Sequence, residues 1–284
     1  MDTLFTPETP ATLLPAAVFS GDFNTGKSML INALLHREAL FMSREESRTP
    51  PVLMAKSQTP EIQYGARMEN SGETMVLSRD DFLNARKTNS VPCDSEALAV
   101  LLPDMPFRHF VFVDTPGASS LENRPAIPGA ATAFDQSLFV LATTLEYWPA
   151  RHTISLIKEY HARFPGRFVV AANMAEQFNA KEIRRVCDRA RLRLERNGIT
   201  PAPPVFALSA RLELARRFGE DEYRNRIKPD VRELCDCGFD AFRVMLYEFE
   251  ARATIASTAY DLDNVLGSPL ADAVIMNQKG QKVC

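Results

Sequence analysis

Ala16-Ala17-Val18-Phe19-Ser20-Gly21-Asp22-Phe23-Asn24-Thr25-Gly26-Lys27-Ser28-Met29-Leu30-Ile31 is the stretch that decides the fold. The short apolar run Ala16 to Phe19 reads as a buried strand. It runs into Gly21-x-x-x-x-Gly26-Lys27-Ser28, and then into an apolar-periodic segment that reads as a helix. Strand, glycine loop and helix in that order are the context in which such a loop binds phosphate. Successive backbone N–H groups and the helix N-terminus converge on one anion. Gly21 and Gly26 allow backbone angles and close approaches that a Cβ would block. Lys27 reaches toward β- and γ-phosphates, and the Ser28 hydroxyl is a ligand for Mg²⁺. The candidate nucleotide contacts are Gly21, Asp22, Phe23, Asn24, Thr25, Gly26, Lys27, Ser28 and Met29, with Leu30, Ile31, Ala33, Leu34 and Leu35 on the buried side of the helix.

Composition agrees with a globular α/β chain. The 284 residues are 45% hydrophobic and 24% charged, enough for a sizeable core. A net charge of −3 excludes the broad basic footprint of a nucleic-acid binder, so no nucleic acid is expected as partner. Five cysteines, at 93, 187, 235, 237 and 284, carry no zinc spacing and read as reduced thiols of a cytoplasmic protein. The opening residues have no signal-peptide pattern, and no apolar run is long enough to span a bilayer.

Residues 1–13 read as an extended lead-in. The polar loop Ser43 to Pro51 precedes a strand at Val52 to Ala55, and in a nucleotide-hydrolysing protein such a loop carries a hydroxyl to the metal and the γ-phosphate. Thr49 is the first candidate and Ser47 the second, with an ordinary connecting loop as the alternative. Glu61 to Met68 and Glu73 to Leu77 read as two strands around Asn70-Ser71-Gly72, and Ser78-Arg79-Asp80-Asp81 as a helix start. His109 to Val113 is a continuous β-branched and aromatic run ending in Asp114-Thr115-Pro116-Gly117. Asp114 there can hold the Mg²⁺ shell, and the Gly117 N–H can meet the γ-phosphate. Ser119 to Ala133 suits a second mobile loop, Asp135 to Leu141 another core strand, and His152 to Phe164 a helix.

The strand Phe168 to Ala172 enters Asn173-Met174-Ala175-Glu176, which stands where GTP-binding proteins carry N-K-x-D. Met174 takes the place of the lysine stem that covers the base, and Glu176 that of the aspartate that reads guanine, one methylene longer. Helix Ala180 to Arg196 has an apolar stripe and a basic face with Arg184, Arg185, Arg189, Arg193 and Arg196, either solvated or turned to an anionic membrane or partner. Val205 to Leu208 leads to Ser209-Ala210-Arg211, a place for a backbone N–H to meet the base carbonyl. Phe242, Met245, Leu246 and Phe249 mark a closing helix. Residues 257–284 read as a loosely attached tail.

In this order the motifs match the GTPase set. Gly21 to Leu35 resembles the bacterial branch of the dynamin-like GTPases, in which G-x-F-N-x-G-K-S-x-L-I-N-A-L-L is usual. Asp135 to Leu141 as a core strand and Gly238-Phe239-Asp240 opening the last helix add to the resemblance, which spans about residues 14–256. It implies an α/β fold: a P-loop GTPase-like, mostly parallel sheet with helices on both faces. It implies GTP/GDP and Mg²⁺ as cofactors, Lys27, Thr49 and Gly117 in catalysis, and Ser28, Thr49 and Asp114 around the metal. Asn173, Met174, Glu176, Ser209, Ala210 and Arg211 would surround the base. Asn24 stands where eukaryotic dynamins place a serine that binds a charge-compensating cation. Phe23 stands at their catalytic-water glutamine, which leaves water positioning to the backbone or the switches. A homodimer across the nucleotide face, or pairing with a second dynamin-like protein, would trigger hydrolysis, and peripheral contact with the inner membrane is a further implication.

Residues 1–13 and 257–284 are too short to build a helical stalk, so the expectation is a G domain that switches or works with a separate partner. Two other readings stay open: a degenerate G domain kept as a protein-binding module, and a nucleotide hydrolase with relaxed base specificity.

Overall fold

The apolar run before the glycine loop is strand β1 (Ala16–Ser20), and it lies deep inside a nine-stranded sheet. The computed structural model describes residues 14–22, 24–40, 50–87, 95–116, 136–146, 148–149, 151–253 and 260–281. The lead-in 1–13, Phe23, the loop with Ser47 and Thr49, Gly117 and the stretch 119–133 fall outside those residues.

Helix α1 (Lys27–Leu35) follows the loop directly. Strands β2 (Val52–Lys56), β3 (Gln63–Met68), β4 (Thr74–Leu77), β5 (Ser95–Leu102), β6 (Val111–Asp114), β7 (Ser137–Thr144), β8 (Phe168–Asn173) and β9 (Val205–Ala207) complete the sheet in the order β4-β3-β5-β2-β6-β1-β7-β8-β9. From β6 to β9 every pairing is parallel, as is β2 with β5. Antiparallel pairs join β2 to β6, β3 to β5 and β3 to β4. The sheet is therefore mostly parallel, with an antiparallel extension on one side.

Period-two alternation divides the strands between two cores. Ala16 and Val18 of β1, Val111 and Val113 of β6, and Phe168 and Val170 of β8 face one side. Ala17, Phe19, Phe112, Val169 and Ala171 face the other. Helices α3 (Arg151–Arg163) and α4 (Ala180–Arg196) cover the first side, which receives Ile157, Phe164, Ala190 and Leu194. Helices α1, α2 (Arg79–Lys87), α5 (Ala210–Phe218) and α7 (Pro229–Arg252) cover the second, with Leu34, Phe82, Leu214 and Phe242. A short α6 (Asp221–Arg226) links α5 to α7. Apolar residues on both faces are what a central parallel strand needs.

Local signals hold where they are specific. Ser78 Oγ accepts from Asp81 N at 3.1 Å as the expected start of α2. In α4, Asn179 and Glu182 exchange side chain-to-backbone bonds in a capping box. Strand β5 is absent from the sequence reading, because Ser95-Glu96-Ala97-Leu98-Ala99-Val100-Leu101-Leu102 is rich in residues of high helix propensity. Burial between β2 and β3 overrides that local preference.

Two expectations are corrected. Gly238 does not open the last helix: α7 starts at Pro229, and Gly238 lies inside it against β9. Residues 260–281 are not a loose tail. They form α8 (Leu262–Leu266) and α9 (Pro269–Gln281), which bury Tyr260, Leu262, Val265, Leu266, Leu270 and Val274 on the antiparallel extension. Tyr260 OH donates to His109 O at 2.9 Å, and Tyr260 N donates to Lys56 O at 3.1 Å. Arg67 on β3 pairs with Glu96 at 2.8 Å and with Asp272 at 2.6 Å, and also donates to Leu266 O. The residues look aperiodic because the helices are short and buried on more than one side, so that no single polar stripe appears.

Helix α7 approaches β9 so closely that a Cβ on Gly238 would lie 2.0 Å from Ala207 O, a backbone atom that cannot swing aside. Gly238→Ala is expected to destabilise the fold by about 1–3 kcal/mol despite the better helix propensity of alanine. Denaturant unfolding followed by circular dichroism checks this, and a gain in stability would contradict the packing described.

Candidate nucleotide-binding site

Parallel pairing sends the carboxyl ends of β6, β1, β7 and β8 to one edge of the sheet, and the motif residues leave from those ends. Phe19 pairs with Asp114 across β1 and β6, and Thr144 with Asn173 across β7 and β8. Open α/β sheets bind ligands in this position.

Among its described residues the glycine loop turns through three with positive φ, Gly21 at 151°, Asn24 at 61° and Gly26 at 76°. Gly26 is the N-cap of α1, and a Cβ there would lie 2.4 Å from Asn173 Nδ2. At Gly21 a Cβ would lie 2.1 Å from Ala142 O on β7. Both glycines are thus required by the protein's own backbone and side chains as well as by the angles. Thr25, buried, donates its hydroxyl to Asp22 O at 2.9 Å and staples the loop to itself. No side chain caps the first turn of α1, which leaves its N–H groups turned to the loop.

Lys27 opens α1 and is buried at 8% exposure. Ser28, one residue on, donates its hydroxyl to Asp114 Oδ2 at 3.0 Å, although 86 residues separate them. Asp114 is buried at the end of β6. Thr115 beside it donates to Phe19 O at 2.8 Å and fixes the start of the D-T-P-G turn against β1. A hydroxyl and a carboxylate in contact form an oxygen-only donor pair of the kind Mg²⁺ takes from protein, while keeping its remaining positions for phosphate and water.

The base side is organised by Asn173. Its Nδ2 donates to Thr25 O at 3.0 Å, and its Oδ1 accepts from Ala210 N at 3.0 Å. One buried amide therefore ties the glycine loop to the Ser209-Ala210-Arg211 turn. Ser209 is the N-cap of α5 and accepts from Leu212 N. The Ala210 N–H, expected to be available to a base carbonyl, is engaged by Asn173. Met174 has a left-handed backbone at φ 62°, and its Cε lies 3.6 Å from where a Cβ on Gly26 would be, beside the loop in a position to cover a base. Arg211 turns away toward α6, where it pairs with Glu220 and lies over the Tyr223 ring at 4.4 Å.

Glu176 sits on a short 3-10 turn, Ala175–Gln177. Its carboxyl is half-buried, and Oε2 has no hydrogen-bond partner among the described residues. Burial raises its pKa, against the Ser209 hydroxyl and the Arg211 guanidinium, which lower it. A buried carboxylate oxygen without a donor fits a ligand that brings one, such as the N1–H or N2 amino group of guanine. The sequence reading missed how Thr25, Thr115 and Ala210 bind the segments together. Each is a common turn residue, and its partner becomes visible only after folding.

With this geometry the fold is recognisable. Two solved structures, each described as an oligomerised bacterial dynamin pair that provides a mechanism for the long-range sensing and tethering of membranes, superpose with TM-scores of 0.62 and 0.61. Each is 13% identical and covers 96% of this chain, which spans about half of their length, 49% and 48%. The fold of the chain is that of a dynamin-like G domain. No protein-family model and no curated protein sequence matches it.

Removing the Asn173 amide leaves Thr25 O and Ala210 N without their partner in a buried place. Asn173→Ala is expected to lower stability by about 2–4 kcal/mol, the range for two orphaned polar groups. Chemical denaturation measures the loss, and a change within a few tenths of a kcal/mol would show that water replaces the amide.

Proposed function

We propose that this chain binds guanine nucleotides with Mg²⁺ and hydrolyses GTP to GDP and phosphate. The observation that carries the reading is the 3.0 Å contact between Ser28 and Asp114, which joins the glycine loop to the end of β6 beside a buried Lys27. Ser28 and Asp114 would hold Mg²⁺, which supplies neutralisation of the phosphate charge when bound. The loop N–H groups and the α1 N-terminus grip the phosphate chain. Lys27 stabilises the charge on the transferred phosphoryl group, so that positioning and electrostatics lower the barrier to attack by water. The proposal includes a hydroxyl from Thr49, with Ser47 as the other candidate, and the Gly117 N–H as γ-phosphate contacts. It also includes dimerisation across the nucleotide edge as the trigger for hydrolysis. The description of the structural neighbours as an oligomerised pair supports association with a second dynamin-like chain as such.

A second reading, relaxed base specificity, is favoured by one observation. The Glu176 carboxyl, one methylene longer than an aspartate's, is half-buried, and burial pushes its pKa up, toward the neutral acid. A protonated carboxylic acid both donates and accepts, which matches the amidine edge of adenine as well.

Calorimetric titration with GTP, GDP and ATP, with and without Mg²⁺, separates these readings. Guanine nucleotides are expected to bind, and Lys27→Ala is expected to weaken GTP binding about a hundred-fold, roughly 2.7 kcal/mol for a lost charge-assisted phosphate contact. Equal binding of ATP would select the relaxed hydrolase. Absence of all binding would leave a protein-binding module on a G-domain fold.

The raised pKa of Glu176 also sets a pH dependence. Guanine needs the ionised carboxylate, so GDP affinity is expected to hold toward higher pH and to fall as pH descends through that raised pKa. Comparing Glu176→Gln with the parent isolates this effect from titration of the nucleotide, and the variant should show the flatter profile. Parallel profiles would remove Glu176 from base recognition.

A further inference from the structure

The carboxyl-terminal end of α1 meets α5 and α7 at a cluster of ionised side chains that the nucleotide reading does not use. Glu213 of α5 is 1% exposed, and its two oxygens serve three guanidinium groups. Arg216 Nε lies at 2.6 Å, Arg217 Nε at 2.9 Å and Arg243 Nη1 at 3.5 Å. Asp240 of α7 serves two of the same three, with Arg243 Nη2 at 2.7 Å and Arg216 Nη2 at 3.0 Å. Three cations thus share two carboxylates, in a chain whose net charge is −3.

The donors that remain decide the chemistry. Arg217 is 36% exposed, and its Nη1 and Nη2 hold no hydrogen bond or ion pair among the described residues. Arg243 Nη1 is buried without a hydrogen bond. His36, which closes α1 with a left-handed φ of 56°, adds a buried Nε2 that has no partner among the described residues. Burial, then Arg217, Arg243 and Arg216, push the His36 pKa down to about 4, so the imidazole is neutral at neutral pH. Nearby, Arg37 is paired with Asp104 at 2.9 Å, Glu38 is exposed, and Tyr247 of α7 feels the same Arg243 and Arg217. The carbonyl end of α1 offsets only about half a charge. A partly buried cation in excess of its carboxylates calls for an anion.

We propose that Arg216, Arg217, Arg243 and His36 bind a tetrahedral oxyanion, the phosphoryl group of a small soluble ligand. Guanidinium forks match the oxygens of such a group two at a time. Arrival of a dianion cancels the positive field on His36, which then takes a proton from solvent and becomes a further donor. Anion binding is thereby coupled to proton uptake. Helix α1 has nine residues, so the cluster lies about 14 Å along it from the glycine loop. The inference stands apart from the nucleotide reading.

The test is calorimetric titration of the full chain, without nucleotide, with inorganic phosphate, sulfate and chloride at constant ionic strength. Phosphate and sulfate are expected to bind, and chloride is not. The glycine loop also takes such anions, so each titration is repeated with Lys27→Ala, in which binding at the arginine cluster should persist. Sulfate keeps both charges over about pH 5–8, so a change in its affinity reports the protein. Its affinity is expected to rise as pH falls, because His36 gains a proton on binding, and His36→Gln should flatten that rise. Arg217→Gln should weaken both anions about ten- to a hundred-fold with the circular dichroism spectrum unchanged. Arg217→Lys keeps the charge beside Glu213 but loses the fork, and should bind with intermediate affinity. Equal uptake of chloride, a pH-independent sulfate affinity, or unchanged binding by both Arg217 variants would overturn the proposal. So would loss of all binding in Lys27→Ala, which would assign the anion to the glycine loop.

Discussion

The parallel placement of β1 between β6 and β7 is the constraint on which the other features depend. Parallel strands end on the same side, so the register of Ala16 beside Val111 on one flank and beside Ser137 on the other brings three carboxyl ends together. The glycine loop, Asp114 and the residues after β7 have no other edge from which to emerge. Both faces of β1 are apolar and covered by helices, so the strand cannot slip by one residue without reversing the two cores.

On that edge, close approach supplies the precision. Gly21 and Gly26 lie where backbone and amide atoms of β7 and β8 leave no room for a side chain. Asn173 uses both ends of one amide to hold two loops that never meet in sequence. Among the described residues the glycine loop is held in place by the protein's own contacts, and preorganisation of that kind is what phosphate binding and transfer need.

The antiparallel extension extends the same logic to the far side of the sheet. Strand β2 pairs with β6 beside Asp114, and its other end meets Tyr260. His109, just before β6, is held by Glu250 of α7 through its N–H and by Tyr260 through its carbonyl. Helices α7, α8 and α9 are thereby packed onto the strands that carry the glycine-loop edge. Helix α4 covers the sheet on the opposite flank, where Arg193 donates to Pro149 O.

Much of the site was legible in the chain itself. The strand–loop–helix, Asp114 at a strand end and Asn173 at another are local patterns, because phosphate binding requires particular backbone angles and donor types at fixed spacing. The central strands were legible for the same reason, being continuous apolar runs. What folding alone decided is non-local. The alanine- and leucine-rich β5 becomes a strand because β2 and β3 flank it, and the aperiodic residues after 260 become helices because the antiparallel extension offers a face to cover. The engagement of Ala210 by Asn173, the turn of Arg211 toward α6 and the burial of Glu176 each depend on partners nine or more residues away or on solvent exclusion. Spacing along a chain encodes local geometry, whereas pairing and desolvation exist only once distant segments have come into contact.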